Sequence, residues 1–218
     1  MYVAIIGDII GSKSLMHRKE IQIQLNQILA QVNRKFSDDI HSNFLITLGD
    51  EFQGLLYSPH NVVKIIEFIQ LNFYPNRIRF GIGIGTIDTD FIRSEALGAD
   101  APVYHKARKM VEDLKISEDS FKKQNVFIKL SWGVDEDMER LINSSFNACS
   151  FIEQQWTVKQ REVIYKILMG KNIQYIATEA NLAPSSIYRR LNRSGYYDYV
   201  NIRNSIITVL DNKWSEHT

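Results

Sequence analysis

Apolar and polar positions alternate along this chain with two different periods, and the period changes near its middle. Tyr2 to Ile6 is an unbroken apolar run closed by Gly7, which fits a strand buried on both faces. Ile21, Leu25, Ile28, Leu29, Val32 and Phe36 then fall on one stripe, predicting a long amphipathic helix. Phe44–Leu48 and Phe52–Tyr57 are β-rich runs separated by Gly49-Asp50-Glu51, the spacing of a hairpin with a tight turn. Pro59 suits an early helix position, and Val62, Val63, Ile66, Ile69 and Phe73 make a second stripe. Arg77 to Gly85 alternates large residues with glycines, so a strand there leaves one face bare for another backbone or a ligand. A loop to about Gly98 precedes a helix carrying Val103, Ala107, Met110, Val111 and Leu114, and Val126–Leu130 reads as a last strand. The predicted order is β-α-β-β-α-β-α-β.

Beyond Trp132 the pattern is helical throughout. Helices are expected over Asp135–Gln155, from the Thr157 cap to near Gly170, over Ile173–Ala180 and over Ser185–Asn192. In the tail, Tyr196 to Trp214, a stripe of Val200, Ile207 and Leu210 predicts a helix that dimerises or caps the fold. This division gives segments 1–131, 132–155 and 156–218.

Composition changes little in that picture: 44% hydrophobic and 23% charged residues describe an ordinary globular protein. Asp8 interrupts the first apolar run, which is too short to span a bilayer, so a cytoplasmic protein with no membrane partner is expected. A single cysteine, Cys149, excludes an internal disulfide and a multi-cysteine zinc site, and the five histidines lack ligand spacing. Charge is more telling where it is uneven. Residues 156–195 hold seven Lys/Arg against two acids, a net +5, behind a connector over 131–155 with a net −4. A basic module behind an acidic connector points toward nucleic acid.

Two short motifs carry candidate chemistry. Gly7-Asp8-Ile9-Ile10-Gly11-Ser12 lies at the carboxyl end of the first strand, and Leu48-Gly49-Asp50-Glu51-Phe52 at the hairpin tip. With the hairpin beside the first strand, Asp8 and Asp50 converge, and two such carboxylates repel unless a cation separates them. Hard oxygen ligands suit Mg²⁺ or Mn²⁺, and amides from Ile9 to Ser12 near a helix start could hold a triphosphate. The plainer reading is that each Asp ends a strand and favours a turn.

These residues also resemble known families. DIIGS is similar to the first metal motif of class III nucleotide cyclases, and LGDEF to the GGDEF signature of diguanylate cyclases. RIRFGIGIG and APVYHKAR, residues 101–108, resemble the following cyclase strand and helix, in the family's order. The resemblance implies an α+β fold: a ferredoxin-like, nucleotide-cyclase-like palm, followed here by an all-α helix-turn-helix. It implies catalytic roles for Asp8, Asp50 and Arg108, and a metal site at Asp8, Ile9, Asp50 and Glu51. Nucleotide contacts are expected from Ile10, Gly11, Ser12, Lys13, Gly49, Tyr104 and Lys106, with Tyr104 standing where cyclases carry an asparagine. The chain as a whole resembles the SatD family of small bacterial proteins, through GDII, TLGDEFQGLL, FGIGIG and the WTxxQRE segment.

In the C-terminal module, small Ala177 permits a close helix crossing, Asn181 tolerates a left-handed turn and Pro184 opens the last short helix. The segment resembles sigma-region-4-like helix-turn-helix units. Its recognition helix would offer Ser185, Ser186, Tyr188, Arg189, Arg190 and Arg193 to DNA, whereas a plain helical hairpin would use them only as a solvated face. The expected function is a nucleotide- and metal-binding regulator acting on DNA as a homodimer. An active Mg²⁺- or Mn²⁺-dependent cyclase or nucleotidyltransferase, and a non-catalytic scaffold, are the alternatives.

Overall fold

The structure, a computed structural model, describes residues 1–11, 18–87, 101–121 and 126–217. Its first part alternates strands and helices: β1 (Tyr2–Ile9), α1 (Arg18–Lys35), β2 (Ile40–Leu48), β3 (Glu51–Leu56), α2 (Val62–Phe73), β4 (Ile78–Gly85), α3 (Pro102–Phe121) and β5 (Ile128–Ser131). The sheet order is β2-β3-β1-β4-β5, antiparallel except for the β4/β5 pair. This is a mixed α+β architecture with the first strand at the centre of the sheet.

Alternation along β1 sends its side chains to two different cores. Val3, Ile5 and Ile9 join α1 and α2 residues such as Leu25, Leu29, Ile66 and Ile69 on one side. Ala4 and Ile6 meet Val103, Tyr104, Ala107 and Val111 of α3 on the other. The bare face of β4 is filled by backbone: a Cβ at Gly81 would strike the carbonyl oxygen of Ala107, and one at Gly83 that of Val103. Gly7 does not end β1 as its position after the apolar run suggested. It lies within the strand because the Phe52 ring occupies the space a side chain would need.

The remaining helices are α4 (Glu136–Gln154), α5 (Val158–Leu168), α6 (Ile173–Glu179), α7 (Pro184–Asn192) and α8 (Tyr196–His217). Their ends follow local chemistry. The Asp135 side chain accepts from the Met138 amide at 2.9 Å, and Thr157 and Gln160 form a reciprocal capping box at the start of α5. Asn181 joins α6 to α7 at φ 50°, the left-handed geometry its side-chain type tolerates. Asn143 of α4 accepts from the Leu130 amide at 2.7 Å and donates to the Leu130 carbonyl at 2.9 Å, pairing a side chain with edge strand β5.

The two parts share one apolar core, since Trp132, Phe146, Trp156, Ile187 and Trp214 continue the cluster that begins at Val3. Tyr199, Ile206, Leu210 and Trp214 of α8 are buried, and α8 packs on α4, so this helix caps its own chain. It is bolted to the sheet part by a buried ion pair. Arg203 donates to Glu67 of α2 at 2.6 and 2.8 Å, and the Tyr199 hydroxyl donates to the same carboxylate at 3.0 Å. Among the described residues no helix is long and apolar enough to cross a membrane.

Candidate functional site

Asp8 extends the row Ala4–Ile6 on the face covered by α3, but near the sheet's end. The register places it opposite Glu51 of β3 on one side and Arg79 of β4 on the other. Its side chain is only 7% exposed, and both carboxylate oxygens are engaged: Arg79 Nη1 at 2.8 Å and Lys115 Nζ at 2.7 Å. Arg79 also donates through Nε to Glu118 at 2.9 Å, with Nη2 on the same oxygen, so it bridges two acids. Arg108 approaches Glu51 at 3.4 Å. Three acids and three bases therefore neutralise one another between β1, β3, β4 and α3.

Asp50 and Gly49 form the hairpin tip, with Gly49 at φ 63°. The Asp50 carbonyl accepts from the Ile9 amide at 3.1 Å, which brings the hairpin to the end of β1 as the two motifs suggested. The Ile10 amide donates to the Arg77 carbonyl at 2.9 Å. Both amides thus complete the sheet, because β1 runs on to Ile9 before the chain turns. Gly11 follows at φ 70°, while Ser12 and Lys13 lie outside the described residues.

Tyr104 and Lys106 sit elsewhere. Tyr104 is 2% exposed in the α3 core beside Ala4 and Ile6, and burial pushes its phenol up to about 12. Lys106 donates to the Ile84 carbonyl at 2.9 Å and to that of Trp132, tying together the far ends of β4 and β5. Because Gly85 pairs with Tyr2 and Arg79 with Asp8, this is the opposite end of the sheet from the acids.

The second cluster lies on α7. Ile187 and Leu191 are its buried anchors, and Ser185, Tyr188, Arg189, Asn192 and Arg193 are exposed on the faces between them. Ser186 and Arg190 are half-buried. Among the described residues Arg189, Arg190 and Arg193 make no ion pair, whereas Arg161 and Lys166 of α5 are each bound to a carboxylate, Glu153 at 2.6 Å and Glu179 at 2.7 Å.

The model of the SatD family matches residues 2–210. The chain belongs to the SatD family. Comparison with curated proteins returns no match.

In this SatD-family chain the acids at the sheet end have the hard oxygens that Mg²⁺ or Mn²⁺ prefers. A positive charge already stands at Asp8: the Lys115 ammonium, on a side chain that is 44% exposed and so free to leave. Among the described residues no three His, Cys, Asp or Glu side chains converge as a metal cluster. Among the described residues the site is a closed ion-pair network, with the Lys115 ammonium on one Asp8 oxygen. Arg79, Lys115 and Glu118 are the members that reading the sequence missed. A signal was present, since Arg79 shares the alternate row of Gly81 and Gly83 that faces α3, and Arg108 and Lys115 are seven residues apart on one helix face.

Proposed function

We propose that this protein is a DNA-binding regulator, with α5–α7 acting as a helix-turn-helix and the sheet part as a ferredoxin-like, cyclase-related palm that senses a nucleotide. The observation that carries the reading is the arginine face of α7, which makes no ion pair among the described residues. Arg189 and Arg193, exposed on and just after a short helix beside exposed Ser185 and Tyr188, match what phosphate contact and guanine recognition require. The Asn181 turn before α7 and the packing of α7 against both α5 and α6 support it. One such module binds weakly, so a homodimer on paired half-sites belongs to the proposal, as does action in the cytoplasm. The experiment is selection from a random duplex pool, followed by anisotropy titration of the recovered site. Affinity no better than for unselected duplex would refute the regulator.

The sensing half rests on the acids at the sheet end. Asp8, Asp50 and Glu51 would hold Mg²⁺ or Mn²⁺, and the ion when bound would supply positive charge to a nucleotide's phosphates. Arg108 and Lys115 are the nearby bases able to turn toward a phosphate, each on a side chain more than two-fifths exposed. ATP and GTP titrations with Mg²⁺ test this half: wild type should bind one of them and Asp50→Ala should not. A cyclase or nucleotidyltransferase activity draws less support, because Tyr104, in the position of the cyclase asparagine, is a core residue.

A further inference from the structure

A second set of cations lies where the corner between α2 and β4 meets the C-terminal helices. Gln70, Tyr74, Asn76, Arg77, Glu153 and Arg161 line a cavity of about 30 Å³ there. That is space for about two waters, or for the oxygens of one anionic group. The Arg161 guanidinium lies between two rings, 4.8 Å from Tyr74 and 5.5 Å from Trp156. Its Nη1 donates to the Glu153 carboxylate at 2.6 Å and its Nη2 to the Glu153 carbonyl at 2.9 Å. Its Nε is buried and has no acceptor among the described residues. Arg77 stacks on Phe127 at 5.3 Å and makes no ion pair among the described residues. The cleft therefore holds two guanidinium groups against one carboxylate.

A buried N–H without an acceptor is unfavourable, and a guanidinium held against two rings keeps a fixed orientation toward an incoming anion. We propose that this cleft binds an oxyanion, the phosphate or carboxylate group of a small effector, between Arg77 and Arg161. The cavity admits that group alone, so the rest of the effector stays outside, against the exposed Tyr74. Arg161 belongs to α5, which packs on α7, so the cleft lies one helix away from the arginine face. The site is separate from the acids at the sheet end and does not depend on the DNA-binding reading.

Full-length protein titrated by calorimetry with orthophosphate and with acetate, at constant ionic strength, tests the proposal. At least one of them binds saturably with one site per chain; phosphate alone assigns a phosphate group, and acetate binding assigns a carboxylate. Arg77→Ala lowers that affinity about ten-fold or more while the anion-free melting temperature holds. Arg140→Ala, on the exposed first turns of α4, leaves it unchanged. Should Arg77→Ala melt early, Arg77→Lys is titrated in its place, and it too must bind more weakly. Binding of neither anion, or equal affinity in the Arg77 variant that folds, overturns the proposal.

Discussion

The sheet end around Asp8 and the outer face of α7 are both rich in charge, yet they are built in opposite ways. At the sheet end, Arg79 and Lys115 close both oxygens of a carboxylate that is almost wholly buried. On α7 and at its C-terminal end three arginines carry no internal partner among the described residues. A buried charge must be paired, because an isolated one costs several kcal/mol of desolvation, whereas an exposed charge can wait for a partner from outside. Charge alone is therefore no sign of function. What distinguishes the regions is whether the chain has already supplied the counter-charge, and the sheet end can bind a ligand only by giving up a bond it already has.

The largest expected effect breaks the inner region. Asp8→Ala leaves Arg79, 11% exposed, with Glu118 as its remaining acid, and should lower unfolding free energy by about 3 kcal/mol in urea titrations. Loss below about 1 kcal/mol, the range of surface pairs, would show that the network is dispensable. Glu67→Ala, at the bolt between α2 and α8, should cost a similar amount, since it strips Arg203 and Tyr199 of a shared acceptor.

A smaller effect separates Lys115 from Arg79. Lys115 is 44% exposed, so Lys115→Ala should cost no more than about 1 kcal/mol. The same change frees one Asp8 oxygen and should raise Mn²⁺ affinity, read by electron paramagnetic resonance titration; unchanged affinity would detach Asp8 from metal binding. Cys149 gives a control on burial: desolvation pushes its thiol up to about 12, with Glu67 and Glu153 adding to the rise. The native protein should leave Ellman's reagent unreacted at about pH 8 and react once unfolded. Smallest of all, Arg189→Ala or Arg193→Ala should change stability by no more than about 0.5 kcal/mol.

The strand and helix order was legible from periodicity, because the helices bury one stripe each and β1, buried on both faces, is an unbroken apolar run. Caps and turns were legible too: Thr157 and Asn181 act where their side chains are competent to act, at a helix start and in a left-handed turn. Edges were less so. The second strand begins at Ile40, four residues before the expected Phe44, because His41 and Ser42 on a partly exposed edge carry no apolar signal. At the candidate site, the meeting of the hairpin with β1 was readable from motif spacing. The cations were readable only as a row and a helix face, since Arg79 and Lys115 reach Asp8 through strand register and the docking of α3, which no single local pattern gives. Lys106 shows the same limit, as a lysine in a suggestive motif that spends its charge on two backbone carbonyls.

The central claim is that the arginines on and just after α7, without an ion pair among the described residues, are held for DNA. Its most direct measurement is the salt dependence of duplex binding for wild type beside Arg189→Ala/Arg190→Ala/Arg193→Ala. If all three contact phosphates, the slope of log affinity against log salt should be shallower in the triple variant by about 2.7, with folding intact. Equal slopes and equal affinities in the two proteins would contradict the account.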